Sequence, residues 1–132
     1  MMVTENYNLG FVLHAAIEVP AAINFMLYPS KQLGEYTPHA HAVVRQYALL
    51  LFSSVLISII FAVRPADDLA RSVAGALTIY HLGPAARSCE RLRNQAKHSQ
   101  SLFLSEACLY LICHLACGTT LVLFYLDTGL WT

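Results

Sequence analysis

The chain has 132 residues, 57% hydrophobic and 12% charged, and its eight basic and eight acidic side chains cancel. Soluble domains average about 45–50% apolar and about 25% charged, so this chain lacks the charge to cover a water-facing surface. That balance excludes a nucleic-acid-binding protein, which needs a basic face against phosphate, as well as a disordered chain or a disulfide-built secreted module.

A helix needs about 20 mostly apolar residues to cross about 30 Å of hydrocarbon. Four segments approach that description, which predicts an all-α membrane bundle of four transmembrane helices in one domain spanning 1–132. The first is Leu9 to Tyr28, which carries His14, Glu18 and Asn24 and ends at Pro29 and Ser30. The second, Gln46 to Val63, has no charged side chain and stops at Arg64-Pro65, because a residue before proline avoids the helical region. Pro38 and the pair His39 and His41 fall in the loop before it. Asp67 or Asp68 then caps the third helix, Leu69 to Ala86, the least apolar of the four. A polar and basic linker from Arg87 to Ser101 leads to the fourth, Leu102 to Leu126, capped by Ser101 or Ser105. No segment alternates as a strand does, and lipid leaves helices as the form that satisfies the backbone.

Loop charge predicts the topology. Lys31, Arg45, Arg87, Arg91, Arg93 and Lys97 lie in or beside the first and third loops, against Arg64 and Arg71 on the other side. The positive-inside rule then puts loops 29–45 and 87–101 in the cytosol and both termini in the lumen, with the endoplasmic reticulum as the expected membrane. The N-terminus does not read as a secretory signal, since it carries Glu5 and no basic n-region.

Polar residues at membrane depth carry the chemistry, because a charged side chain there costs at least about 2.5–3.5 kcal/mol and normally faces protein or a wet cavity. His14 and Glu18 are one turn apart on one face of the first helix. Pro20 removes the hydrogen bond to the Ala16 carbonyl just beyond them. They read as a proton-handling pair or as polar packing at a kink. Glu106, Tyr110, Cys113, Cys117 and Thr120 form a second stripe on the fourth helix, with His114 beside it, and membrane helices also use such residues simply to pack. Ala66, Ala70, Ala74 and Thr78 make a small-residue ridge on the third helix, while Ser54 and Ser58 look structural. Depth matching pairs Glu106 with His81 or Arg87, and Glu18 with His114 or His14. The candidate catalytic residues are therefore Glu18, His14, Glu106 and His81, and the candidate substrate-binding residues are Asn24, Tyr110, His114 and Arg71.

Other chemistries find little footing. No Cys-x-x-Cys occurs among the four cysteines, Cys113 and Cys117 leave one helix side by side, and Cys89 lies by the cytosolic loop. His39 and His41 are too few for a di-iron cage, and His14 and His81 lie at opposite depths for haem ligation. No phosphate loop, catalytic triad order or zinc-ligand spacing appears. Neither a metal nor another cofactor is expected.

The stretch RQYALLLFSSVLISIIFAVRPADDLARSVAGALTIYHLGPAAR, Arg45 to Arg87, resembles small four-helix membrane proteins of fungi and, more distantly, DoxX-like four-helix proteins. The resemblance implies a four-helix membrane fold and, through natural-product pathways, a lipophilic substrate. Larger membrane terpene cyclases and sterol isomerases use intramembrane acids on such substrates; their motifs are not in this chain, and no residue role carries over. Two functions stay open. One is an isomerase or cyclase of lipid or natural-product biosynthesis, with Glu18 or Glu106 raised in pKa by lipid burial to serve as the acid. The other is a non-catalytic scaffold or accessory subunit. The expected partners are the bilayer, a lipophilic small molecule and, for transport in particular, further copies of the chain.

Overall fold

The computed structural model describes residues 8–33, 37–98 and 105–126. Among them all regular structure is α-helical: α1 (Leu9–Leu27), α2 (Ser30–Leu33), α3 (Pro38–Ala62), α4 (Asp68–Lys97) and α5 (Glu106–Tyr125). The chain divides into two compact units, residues 1–64 and 65–132. Each is built on an antiparallel helical hairpin.

In the first unit α1 packs on α3. One end of the hairpin is fastened by Asn8, the residue before α1, at the C-terminus of α3. The Asn8 backbone N–H donates to the Ala62 carbonyl at 3.0 Å. Its side-chain Nδ2 donates to the carbonyls of Phe61 at 2.8 Å and Arg64 at 3.0 Å. Carbonyls in the last turn of a helix have no partner further along it, so one side chain supplies what the helix end lacks. Phe11 stacks on Phe61 just inside this end, with ring centroids 5.6 Å apart. At the other end Phe25 meets Tyr47, and Arg45 Nε donates to the Met26 carbonyl at 3.4 Å, setting a cation at the negative end of α1.

In the second unit α4 packs on α5. Asp67 caps α4 by accepting from the Ala70 N–H at 2.8 Å, and Ser105 caps α5 by accepting from the Cys108 N–H at 3.2 Å. Gly75 lies against the ring of Tyr125, which a Cβ on α4 would meet at 3.0 Å. At the opposite end Arg91 on α4 pairs with Glu106 on α5.

All four long helices bury one narrow stripe. On α3 it is His41, Ala48, Leu51, Val55, Ser58 and Ala62, and on α5 it is Ala107, His114, Cys117, Leu121 and Phe124. The alternating three- and four-residue steps are the seam of helices packed at a shallow left-handed crossing. Small residues such as Ala48, Ser58, Ala62, Ala107 and Cys117 recur along these seams, as they do where membrane helices approach closely. The remaining faces are apolar and exposed: Leu49, Leu50, Phe52, Leu56, Ile57, Ile59 and Ile60 all point outward on α3. The pattern inverts that of a soluble helix, with histidine and glutamate inside and leucine and isoleucine outside. Three helices, α1, α3 and α5, are long and apolar enough to cross a membrane.

Several boundaries differ from the sequence reading. The loop expected over 29–45 holds α2 and the first turns of α3, which begins at Pro38 rather than Gln46. Proline at the first helical position gives up an N–H that would be unsatisfied anyway, so Pro38 starts a helix and His39 and His41 ride on it. His39 is exposed and His41 is buried. The linker expected from Arg87 is the continuation of α4, which runs through Pro84 to Lys97. SCERLRNQAK is rich in strong helix formers, and its polarity marks a change of surroundings rather than the end of a helix. Glu5, Ser101 and the segment 102–104 lie outside the described residues.

Candidate functional site

The first unit holds a buried pair across its hairpin. His14 on α1 is 0% exposed, and its Nε2 lies 3.1 Å from Ser54 Oγ on α3. The Ser54 hydroxyl itself donates to the Leu51 carbonyl at 2.7 Å. Its one proton is thereby committed, so the His14 Nε2–H is the donor and Ser54 Oγ the acceptor. In a neutral ring that tautomer places the lone pair on Nδ1. Glu18 follows one turn later on the same buried seam and is 1% exposed. The helix is continuous through Pro20. Near the Asn8 end, Leu9, Val12 and Ala15 of α1 face Ile59, Ala62 and Val63 across an open apolar groove of about 420 Å³.

The second unit holds a different pair. His81 on α4 and His114 on α5 are both buried, and their Nδ1 atoms stand 3.0 Å apart. One Nδ1 must carry a proton and the other must not, so the two rings share a single hydrogen, and either can hold it. The Tyr80 ring meets His81 edge-on at 5.1 Å. Cys117, three residues after His114, is 0% exposed, and a ring nitrogen of His81 lies within 4.8 Å of its sulfur. None of the four cysteines forms a disulfide.

The expected site residues disperse. His14 and Glu18 share the buried seam of α1, as their spacing requires. Glu106 opens α5 as its first residue, is exposed, and bonds Arg91 at 3.2 Å rather than His81 or Arg87. The reason is that α4 stays helical beyond Ala86, which carries Arg91 one turn past Arg87 to the start of α5. His81 takes His114 as its partner instead. Tyr110 and Asn24 are exposed, and Arg71 pairs with Asp68 at the start of α4 at 3.1 Å. The stripe read as Glu106, Tyr110, Cys113 and Cys117 is not the inward face: Glu106, Tyr110 and Cys113 are exposed, while Ala107, His114 and Cys117 are buried. Of the small-residue ridge on α4, Ala70 and Ala74 are fully buried and Ala66 precedes the helix exposed.

Two residues escaped the sequence reading. Ser54 looked structural, although a buried imidazole always needs a partner and a mid-helix serine on the facing seam is one. Asn8 carries no local signal, because its side chain bonds the end of a helix more than fifty positions away. No protein-family model, curated protein or solved structure matches the chain.

Proposed function

We propose that the chain is a multi-pass membrane protein in which α1, α3, the first two-thirds of α4 and α5 cross the bilayer, and that it binds a lipophilic small molecule and moves a proton on it. The observation that carries this reading is the inverted seam. His14, Glu18, His41, His81 and His114 are all buried, while the outward faces are leucine, isoleucine and phenylalanine. Water rewards the opposite arrangement, and lipid rewards this one. The α4 segment is less apolar because it contributes Thr78, His81 and small residues to a seam, yet Leu69, Ile79 and Leu82 still face outward.

Charge supports the orientation. Lys31, Arg45, Arg87, Arg91, Arg93 and Lys97 gather at the α1–α3 and α4–α5 connections, which we assign to the cytosolic side of an endoplasmic reticulum membrane. The N-terminus of α1 and the C-terminus of α5 then face the lumen.

The acid–base pair in this proposal is Glu18 and His14. Glu18, protonated, gives a proton to a double bond or an epoxide oxygen of the ligand. His14, held by Ser54 with Nδ1 as its base, takes a proton from a neighbouring carbon. The net change is an isomerisation or a cyclisation, and it needs no redox partner. Ala, Ser and Cys at the seams support a second reading, a scaffold whose polar residues only join helices.

Comparative profiling of lipid extracts from cells with and without the protein separates the two. Glu18→Gln keeps the shape of the side chain and removes the acid. An enzyme loses its product with this change while detergent stability stays within about 1 kcal/mol. A scaffold shows no product difference to begin with and tolerates glutamine.

A further inference from the structure

We propose that the last third of α4, residues 87–97, is a docking surface for anionic phospholipid headgroups, with Arg87 and Arg91 at the phosphates and Arg93 and Lys97 above them. The inference rests on the reading that the first two-thirds of α4 cross a bilayer, and it names the chemistry of the lipid that surrounds the helix where it emerges. It is independent of the acid–base chemistry assigned to Glu18 and His14.

From Arg87 to Lys97 the helix carries four cations and one acid, Glu90, and all five side chains are exposed. Arg91 bonds Glu106 at the start of α5 at 3.2 Å. Among the described residues no carboxylate pairs with Arg87, Arg93 or Lys97, although Glu90 lies one turn from the first two. Their counter-charge therefore comes from outside the hairpin. A guanidinium offers N–H donors in a planar fork that matches two oxygens of a phosphate. Four basic residues directly after a membrane span are the pattern that recruits anionic lipid.

Position along the helix selects lipid over a soluble partner. Leu82 is the last large apolar side chain exposed on α4 and marks the end of its lipid-facing surface. At about 1.5 Å of rise per residue, Arg87 stands about 8 Å beyond it and Arg91 about 14 Å. The headgroup layer outside the hydrocarbon is about 5–8 Å deep on each side. Arg87 is therefore at phosphate level, and the long side chain of Arg91 reaches back to the outer edge of that layer. Arg93 and Lys97, about 17 Å and about 22 Å beyond Leu82, stand in water and act through their field, which salt screens. Loop charge assigns this end of α4 to the cytosolic side, whose leaflet is the anionic one.

The test uses full-length protein reconstituted into vesicles of phosphatidylcholine alone and of equimolar phosphatidylcholine and phosphatidylserine. Flotation at alkaline pH reads incorporation, and mass spectrometry of the lipid retained after mild detergent extraction reads preference. The wild type should float with both vesicles and retain phosphatidylserine over phosphatidylcholine. A basic residue near an anionic surface is worth about fivefold in binding. Arg87→Gln/Arg93→Gln/Lys97→Gln keeps good helix formers and the Arg91–Glu106 pair. It should lose at least about fivefold of the preference with unaltered helical circular dichroism. Arg87→Gln alone should account for the largest share, and Asn94→Ala should change nothing. Raising salt from about 0.1 M to about 1 M should weaken the wild-type preference, as the screening length falls from about 10 Å to about 3 Å. A wild type that floats but retains both lipids equally, or a triple variant with wild-type preference, overturns the headgroup surface and leaves the span standing. Displacement of the retained phosphatidylserine by inorganic phosphate makes the ligand a soluble anion and overturns it too. A wild type that floats with neither vesicle overturns the span itself, and this inference with it.

Discussion

The two hairpins bury histidine at their centres and bind it in contrasting ways. In α1–α3, His14 faces a serine whose proton is already given to the Leu51 carbonyl, so the direction of the hydrogen bond is fixed. In α4–α5, His81 faces a second imidazole, and one proton serves two ring nitrogens. A fixed donor holds one tautomer and leaves one defined basic nitrogen, which is what a base needs. A shared proton leaves the tautomer of neither ring fixed. The same residue type, at the same kind of seam position, is thus given two chemistries by the residue opposite. The ends of the hairpins differ as well. The first is fastened by Asn8 on backbone carbonyls, the second by an exposed ion pair between Arg91 and Glu106.

Breaking the pair at the centre of α4–α5 should have the largest effect. His81→Leu or His114→Leu alone leaves a buried imidazole without its partner and should lower stability by about 1–3 kcal/mol. The double variant should recover part of that loss, because neither imidazole of the pair is then left behind, and a double-mutant cycle by thermal or denaturant unfolding in detergent reads the coupling. Additive losses would mean the two rings do not depend on one another.

Asn8→Ala comes next. It removes two hydrogen bonds to the carboxyl end of α3 and should cost about 1–2 kcal/mol. Amide exchange should rise at the start of α1 and leave α4–α5 untouched, since the two fastenings belong to separate hairpins. The smallest effect belongs to the other fastening. Arg91→Ala should change stability by less than about 1 kcal/mol, and added salt should erase the difference, because the pair is exposed and screened.

Much of the helical layout was legible in the sequence and some of the site was not. Length and apolarity found α1, α3 and α5, which among the described residues are the helices long and apolar enough to cross a membrane; the third expected span is a helix, α4, but it does not reach that apolarity. Composition measures where the chain is apolar and not where it is helical, so the polar start of α3 and the polar end of α4 read as loops. His14 and Glu18 could be placed on one face because a spacing of four is local. Partners across a hairpin depend on the register between helices, which no local pattern holds. Helical continuation of α4 past Ala86 shifts Glu106 from His81 and Arg87 to Arg91, and the His81–His114 pair emerges in its place. The face of α5 was misjudged for a related reason: polar residues were taken to point inward, whereas Glu106 and Tyr110 stand where the helix leaves its apolar surroundings.

The central claim is that leucine and isoleucine face lipid while histidine and glutamate face the seams. Leu50 is 69% exposed and Ile57 is 42% exposed on α3, and arginine at the middle of a span costs about 2.5–3.5 kcal/mol in insertion. Expression of the wild type and of Leu50→Arg/Ile57→Arg, followed by alkaline carbonate extraction of the membranes, reads the claim directly. The wild type should remain in the membrane pellet, and the double variant should fail to insert and be degraded or released. A wild type that leaves the pellet and purifies without detergent as a folded helical species, with the arginine variant equally folded, would contradict it.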